Sequence, residues 1–232
     1  MRQTKFFIGM LILMMVSSGT IFHVVAQTPV PQEESANINF EWAFGALVGK
    51  DKNFVQITHD TTLQSGDEIK MMVKLHKDCY VYVVYYGTQG EVELLFPYSL
   101  KQFQTDYEVD KNYYIPVGRE WLKLDNNTGK ERIFVVASYE RLLDLEAAIS
   151  EYYLASEPSK KQSLAEKIVN QIREMRKKYA SYATIAEKPI TIGGNIRSTN
   201  SIEERRRIDI ADIAIGISAK NFYSKTFTID HQ

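Results

Sequence analysis

Hydrophobic periodicity changes twice along this chain, and that constrains the fold more than any other feature. From Ile38 to Ala137 apolar residues come largely in period-two alternation. Between Leu142 and Tyr179 they recur at helical spacing, and after Ile208 a β-branched run returns. Ile38, Phe40, Trp42 and Phe44 share one face of a strand, and Phe54, Val55 and Ile57 mark a short second one. Ile69, Met71, Val73 and Leu75 are in register on a third, and Tyr80–Tyr86 reads as the next. Leu142, Leu145, Ile149 and Tyr152 predict a helix over about 139–155. Leu164, Ile168, Ile172, Met175 and Tyr179 predict another over about 158–181. The stretch Ile208–Ile217 and the segment Phe222–Ile229 read as closing strands. Strands, a helical pair, then strands predict a mainly β (α+β) chain. The expected form is a β-sandwich over 38–232, of which an immunoglobulin-like arrangement is one version, with the two helices inserted at about 139–181.

The start of the chain reads differently. Arg2 and Lys5 precede the apolar run Phe6–Val16, and Ser17, Ser18, Gly19 and Thr20 then weaken it. Val24 and Ala26 suit cleavage before Gln27, so 1–26 is expected to be a signal peptide and 27–37, with Pro29 and Pro31, a flexible leader. Retention of 1–26 as a membrane anchor is the alternative. Cleavage removes two cations and no acid, making the net charge of −1 more negative by two. That balance argues against nucleic-acid binding by bulk charge. A single cysteine allows no intrachain disulfide.

Several short motifs stand in a fixed order. Leu63-Gln-Ser-Gly-Asp67 is followed by Cys79-Tyr-Val-Tyr-Val83, then Gly90-Glu-Val-Glu-Leu-Leu-Phe-Pro97, Tyr114-Ile-Pro116 and Gly129-Lys-Glu-Arg-Ile-Phe-Val-Val-Ala-Ser138. Over roughly 55–139 this order resembles a bacterial family known only as domain of unknown function 4384. The resemblance implies an exported or envelope-associated β domain, whose relatives occur alone or fused to caspase-like peptidase or protein-kinase modules. Neither module's hallmarks are in this sequence. The motif residues Ser65, Gly66, Asp67, Tyr80, Tyr82, Gly90, Phe96, Pro97, Pro116 and Gly129 read as structural. Gly66 and Asp67 suit a tight turn, Gly90 a hairpin loop and Gly129 the turn before a strand. Tyr80 and Tyr82 share one strand face, and Phe96-Pro97 ends a strand and plugs the sandwich.

No catalytic, metal or cofactor constellation is expected. Cys79 lies in a strand-like run and reads as core, and strand periodicity puts His76 on the opposite face. Ser65 and Asp67 have no histidine with a claim from spacing. His59-Asp60 is a lone pair, and His231 reads as part of a frayed end. Glu91 and Glu93 share a strand face and read as a solvated hairpin. Tyr85, Tyr86, Tyr98, Phe103, Tyr107, Tyr113 and Tyr114 read as core and rim before they read as a sugar- or peptide-contacting surface. Glu203-Glu-Arg-Arg-Arg207 reads as a solvated loop and Gly193-Gly194 as too little for a phosphate loop. The expectation is a non-enzymatic interaction module of the cell envelope, periplasmic, outer-membrane-associated or extracellular, meeting an envelope protein or wall component. The alternatives are a cell-wall hydrolase using Asp67, Glu91 or Glu93, and an anchored structural subunit.

Overall fold

The structure is a computed structural model, and it describes residues 37–180, 186–189 and 209–232. The signal and leader readings lie outside these residues, as do Gly193-Gly194 and Glu203–Arg207. Among these residues twelve strands run in chain order: β1 (Asn37–Val48), β2 (Asn53–Gln56), β3 (Thr61–Leu63), β4 (Glu68–Leu75), β5 (Tyr80–Tyr86), β6 (Val92–Phe96), β7 (Asn112–Ile115), β8 (Leu122–Lys123), β9 (Gly129–Ser138), β10 (Ala186–Pro189), β11 (Ile215–Lys220) and β12 (Phe222–His231). Among the described residues three α-helices, α1 (Gln102–Thr105), α2 (Leu143–Leu154) and α3 (Pro158–Ala180), interrupt them.

The strands form two sheets. One runs β10-β11-β1-β4-β7, with β2 paired to β1 and β8 to β4; the other runs β3-β12-β9-β5-β6. The core lies between them, as the alternation demands. Ile38, Phe40, Trp42 and Phe44 of β1 face inward with Val81 and Val83 of β5 and Ile133 and Val135 of β9. Phe40 meets Tyr223 edge-on at 5.6 Å between centroids, and Phe44 meets Phe227 at 5.4 Å. Such pairs add about 0.5–1.5 kcal/mol beyond the area they bury.

The helical pair forms a third layer over the outer face of the five-stranded sheet. Tyr82, Val84, Phe134 and Val136 lie under Leu145, Ile149, Ile168 and Ile172. Thus Tyr80 and Tyr82 do share a face, as expected, but the helices cover it and Tyr82 is fully buried. Pro158 stands at the first position of α3, where its missing N–H costs nothing.

Three local expectations change. The stretch 98–111, polar in sequence and for that reason expected to be looped, contains α1 and carries Phe103 and Tyr107 into an aromatic pile. The isoleucine run is not one strand. Ile210–Ile213 is a 3-10 turn whose first free amide, on Ala211, donates to the Asp209 carboxylate, and Ile210 and Ile213 at i, i+3 are both buried. Finally, the last strand continues through His231. That residue pairs with Leu63 on one side and Gly129 on the other, and only 2% of it is exposed. Two ladders hold what reads from sequence as a frayed end.

Candidate functional site

The turn between β3 and β4 gathers the first polar group. Gly66 has φ +91°, which its missing Cβ permits. Asp67 is buried, and its carboxylate accepts from the Gly49 N–H at 2.8 Å and the Gln64 N–H at 2.9 Å. Both oxygens hold backbone amides, so Asp67 ties two turns together and is not the free acid that a hydrolase using it needs. Lys52 Nζ closes the same corner, donating to the Gly66 carbonyl at 2.6 Å and pairing with Glu68 at 3.2 Å.

Ser65, one residue before this glycine, is exposed, and its Oγ stands 3.1 Å from His231 Nε2. His231 Nδ1 is 2.8 Å from Glu131 Oε1, and both residues are buried. Register explains the contact. Glu131 pairs with Ile229, so it lies diagonal to His231 on one face of adjacent strands. The chain of contacts continues to Tyr85, whose phenol bonds Glu131; burial first, then the charges of Glu131 and Glu91, push its pKa upward. Sequence reasoning missed this constellation because its members are 166 and 100 residues apart. The family motifs hold Ser65 and Glu131 but point to no histidine.

Glu131 and Tyr85 also line a groove of about 230 Å³ on the open edge of the sandwich, between β6 and β8. Leu95, Leu122, Leu124 and Ile133 form its apolar floor, and Glu91, Glu93, Asp125 and Lys123 stand around it. Glu91 and Glu93 therefore do come together, on a groove rather than a flat hairpin. One Glu91 oxygen is engaged by the Gln89 N–H at 2.9 Å. A second hollow of about 240 Å³ shares Glu93, Leu95 and Leu122 and runs on to Tyr98, Pro116 and Val117.

The strand edges beside the groove are capped. Tyr152 and Tyr153 of α2 accept from the N–H groups of Val92 and Leu94 at 3.0 and 2.8 Å, and Tyr98 donates to the Tyr114 carbonyl of β7 at 2.7 Å. On β4, Lys70 is buried and donates to the carbonyls of Gly118, at 2.9 Å, and Glu120. The Pro116 carbonyl stands at 3.4 Å, and burial lowers the Lys70 pKa.

The remaining expected residues fall into place. Gly90 (φ +81°) turns the β5–β6 hairpin, and Gly129 (φ +140°) opens β9. Phe96 is fully buried at the end of β6 and Pro97 follows it. Tyr113 and Tyr107 stack at 6.1 Å, but of the candidate aromatics only Tyr113 is buried; Tyr85, Tyr86, Phe103, Tyr107 and Tyr114 are half-buried and Tyr98 is exposed. Cys79 is buried, and burial pushes its thiol up to about 12, the reverse of nucleophile activation. His76 turns instead to Glu41 at 2.6 Å and Asp110 at 3.0 Å. Among the described residues no group of three or more His, Cys, Asp or Glu could hold a metal ion, and no helix is long and apolar enough to cross a membrane.

No curated protein and no solved structure matches the chain. One family does, over 62–141, the stretch that contains the Ser-Gly-Asp turn, the Tyr-x-Tyr strand and the walls of the groove. Over those residues the chain matches the family described as Domain of unknown function (DUF4384).

Proposed function

We propose that this chain is a non-enzymatic binding module, exported to the bacterial envelope, that meets its partner along the groove between β6 and β8. The observation that carries the reading is the groove itself, an apolar floor rimmed by carboxylates on an edge where two sheets part. The adjoining strand edges are occupied by tyrosine hydroxyls, which favours recognition through side chains over strand addition. Export rests on the sequence of residues 1–26 and on the family resemblance. N-terminal sequencing of the mature protein should begin at Gln27; a start at Met1 would return residues 1–26 to the role of an anchor.

A photo-crosslinking residue at Glu93 tests the groove. In cells it should capture one defined envelope component, while the same residue at Lys177, exposed on α3, should not. Equal capture at both positions, or none at Glu93, overturns the assignment. The wall-hydrolase reading keeps only Glu91 and Glu93, and turnover of wall fragments that disappears in Glu91→Ala would establish it instead.

A further inference from the structure

We propose that Ser65 is a base-activated nucleophile that accepts an acyl group from an activated ester or thioester. The proposal does not rest on the groove reading. Its basis is the order Ser65–His231–Glu131, in which each member sits on a different element: the turn after β3, β12 and β9. Glu131 is shielded, with 6% exposed, and lies against Nδ1 at 2.8 Å, so the neutral ring carries its proton there. The Nε2 lone pair then faces Ser65 Oγ at 3.1 Å, the arrangement a hydroxyl needs to lose its proton as it attacks. Burial lies at the carboxylate end and exposure at the hydroxyl end, so an incoming acyl donor meets Ser65 first.

The step balances without a further reagent. Ser65 Oγ bonds to the acyl carbon as its proton passes to His231 Nε2. The carbon–oxygen or carbon–sulfur bond to the leaving group breaks, and the leaving group or solvent takes that proton. What the site lacks is a ready oxyanion hole. The N–H groups of Gln64, Ser65, Gly66 and Asp67 are committed to Asp67 Oδ2 and to the carbonyls of Gln232, Leu124 and Gln64 respectively. An oxyanion donor is worth roughly 10²–10³ in rate, so acylation without one needs a good leaving group, and the acyl-serine, whose leaving group is the poorer serine alkoxide, is released more slowly still.

The test uses the full chain and p-nitrophenyl acetate. The expected result is a burst of about one equivalent of nitrophenolate, with one acetyl group on Ser65 by peptide mass spectrometry and slow release afterwards. Ser65→Ala should abolish the burst. His231→Gln should slow it by about 100-fold or more, the size of a general-base contribution. The burst should also show a solvent deuterium isotope effect, because the Ser65 proton is in transit to His231 Nε2 as the new bond forms. The ionisable groups in that path are Glu131 on β9 and, beyond it, Tyr85 on β5. Absence of acetyl on Ser65 in the folded wild-type chain overturns the proposal whatever the variants do. So does acetylation at the wild-type rate in a folded His231→Gln variant, which would leave the cluster as a clasp for β12. Should that variant not fold, a burst with no solvent isotope effect in the wild type overturns it equally.

Discussion

Two of this molecule's hydroxyl–carboxylate networks are each built on a buried glutamate, and their difference shows what a buried carboxylate can be used for. In the first, the Tyr82 hydroxyl donates to Glu146 at 2.6 Å, while Arg141 grips both carboxylate oxygens and the Leu142 N–H donates back to Tyr82 at 3.0 Å. It joins β5 to the start of α2 and is sealed, since both Tyr82 and Glu146 are buried. In the second, Glu131 and His231 are equally buried, but the hydroxyl at the end belongs to an exposed serine. A sealed network can only stabilise. One that ends in water can also react.

The comparison breaks most sharply at Glu146. Glu146→Ala leaves Arg141 and Tyr82 facing each other without their shared acceptor, at an expected cost of about 3 kcal/mol, read from the urea midpoint. Glu131→Ala should cost about 2 kcal/mol, because a neutral histidine tolerates the loss better than a guanidinium does. Tyr82→Phe strands the Leu142 amide and should cost about 1.5 kcal/mol, whereas Ser65→Ala should cost under about 1 kcal/mol because water replaces the hydroxyl. A Ser65→Ala loss as large as that of Tyr82→Phe would show that water does not replace the Ser65 hydroxyl and that it is held as firmly as the Tyr82 hydroxyl.

The smallest effect is with pH. Burial, and then the bond to Glu146, raise the Tyr82 pKa above its ordinary 10.0. Above about pH 10 the unfolded chain therefore releases a proton that the folded chain keeps. Stability present below that pH falls as pH rises past it. The urea midpoint should drop between about pH 9 and about pH 11, and by less in Tyr82→Phe; an unchanged slope would mean that the other buried tyrosines carry the effect.

Local pattern made much of the fold legible. The strand Glu68–Leu75 and the helix from Pro158 stand where periodicity places them, because one residue in two or in three to four faces a core. Alternation shows that Tyr80 and Tyr82 share a face but carries no information about what covers it. Ile210 and Ile213 read as strand because β-branched side chains look alike in a 3-10 turn and a ladder; Asp209, as a cap, was the available signal. The site was hardest to read because its distances are set by register between β9 and β12 and by the parallel β3–β12 pair. A histidine beside a chain end acquires a partner only when those ladders close.

The tyrosine caps on β6 and β7 have a consequence for the crowded life of such a domain. An open sandwich edge is a template, and any extended segment nearby, including one from a second copy, can extend it. Here Tyr152, Tyr153 and Tyr98 occupy the outward hydrogen-bonding groups of Val92, Leu94 and Tyr114. Each cap is neutral and its ring packs against neighbouring rings, so protection against fibril-like stacking does not weaken when salt rises, as a charged guard would. The molecule can keep an accessible groove at high local concentration because the backbone beside it is already spoken for.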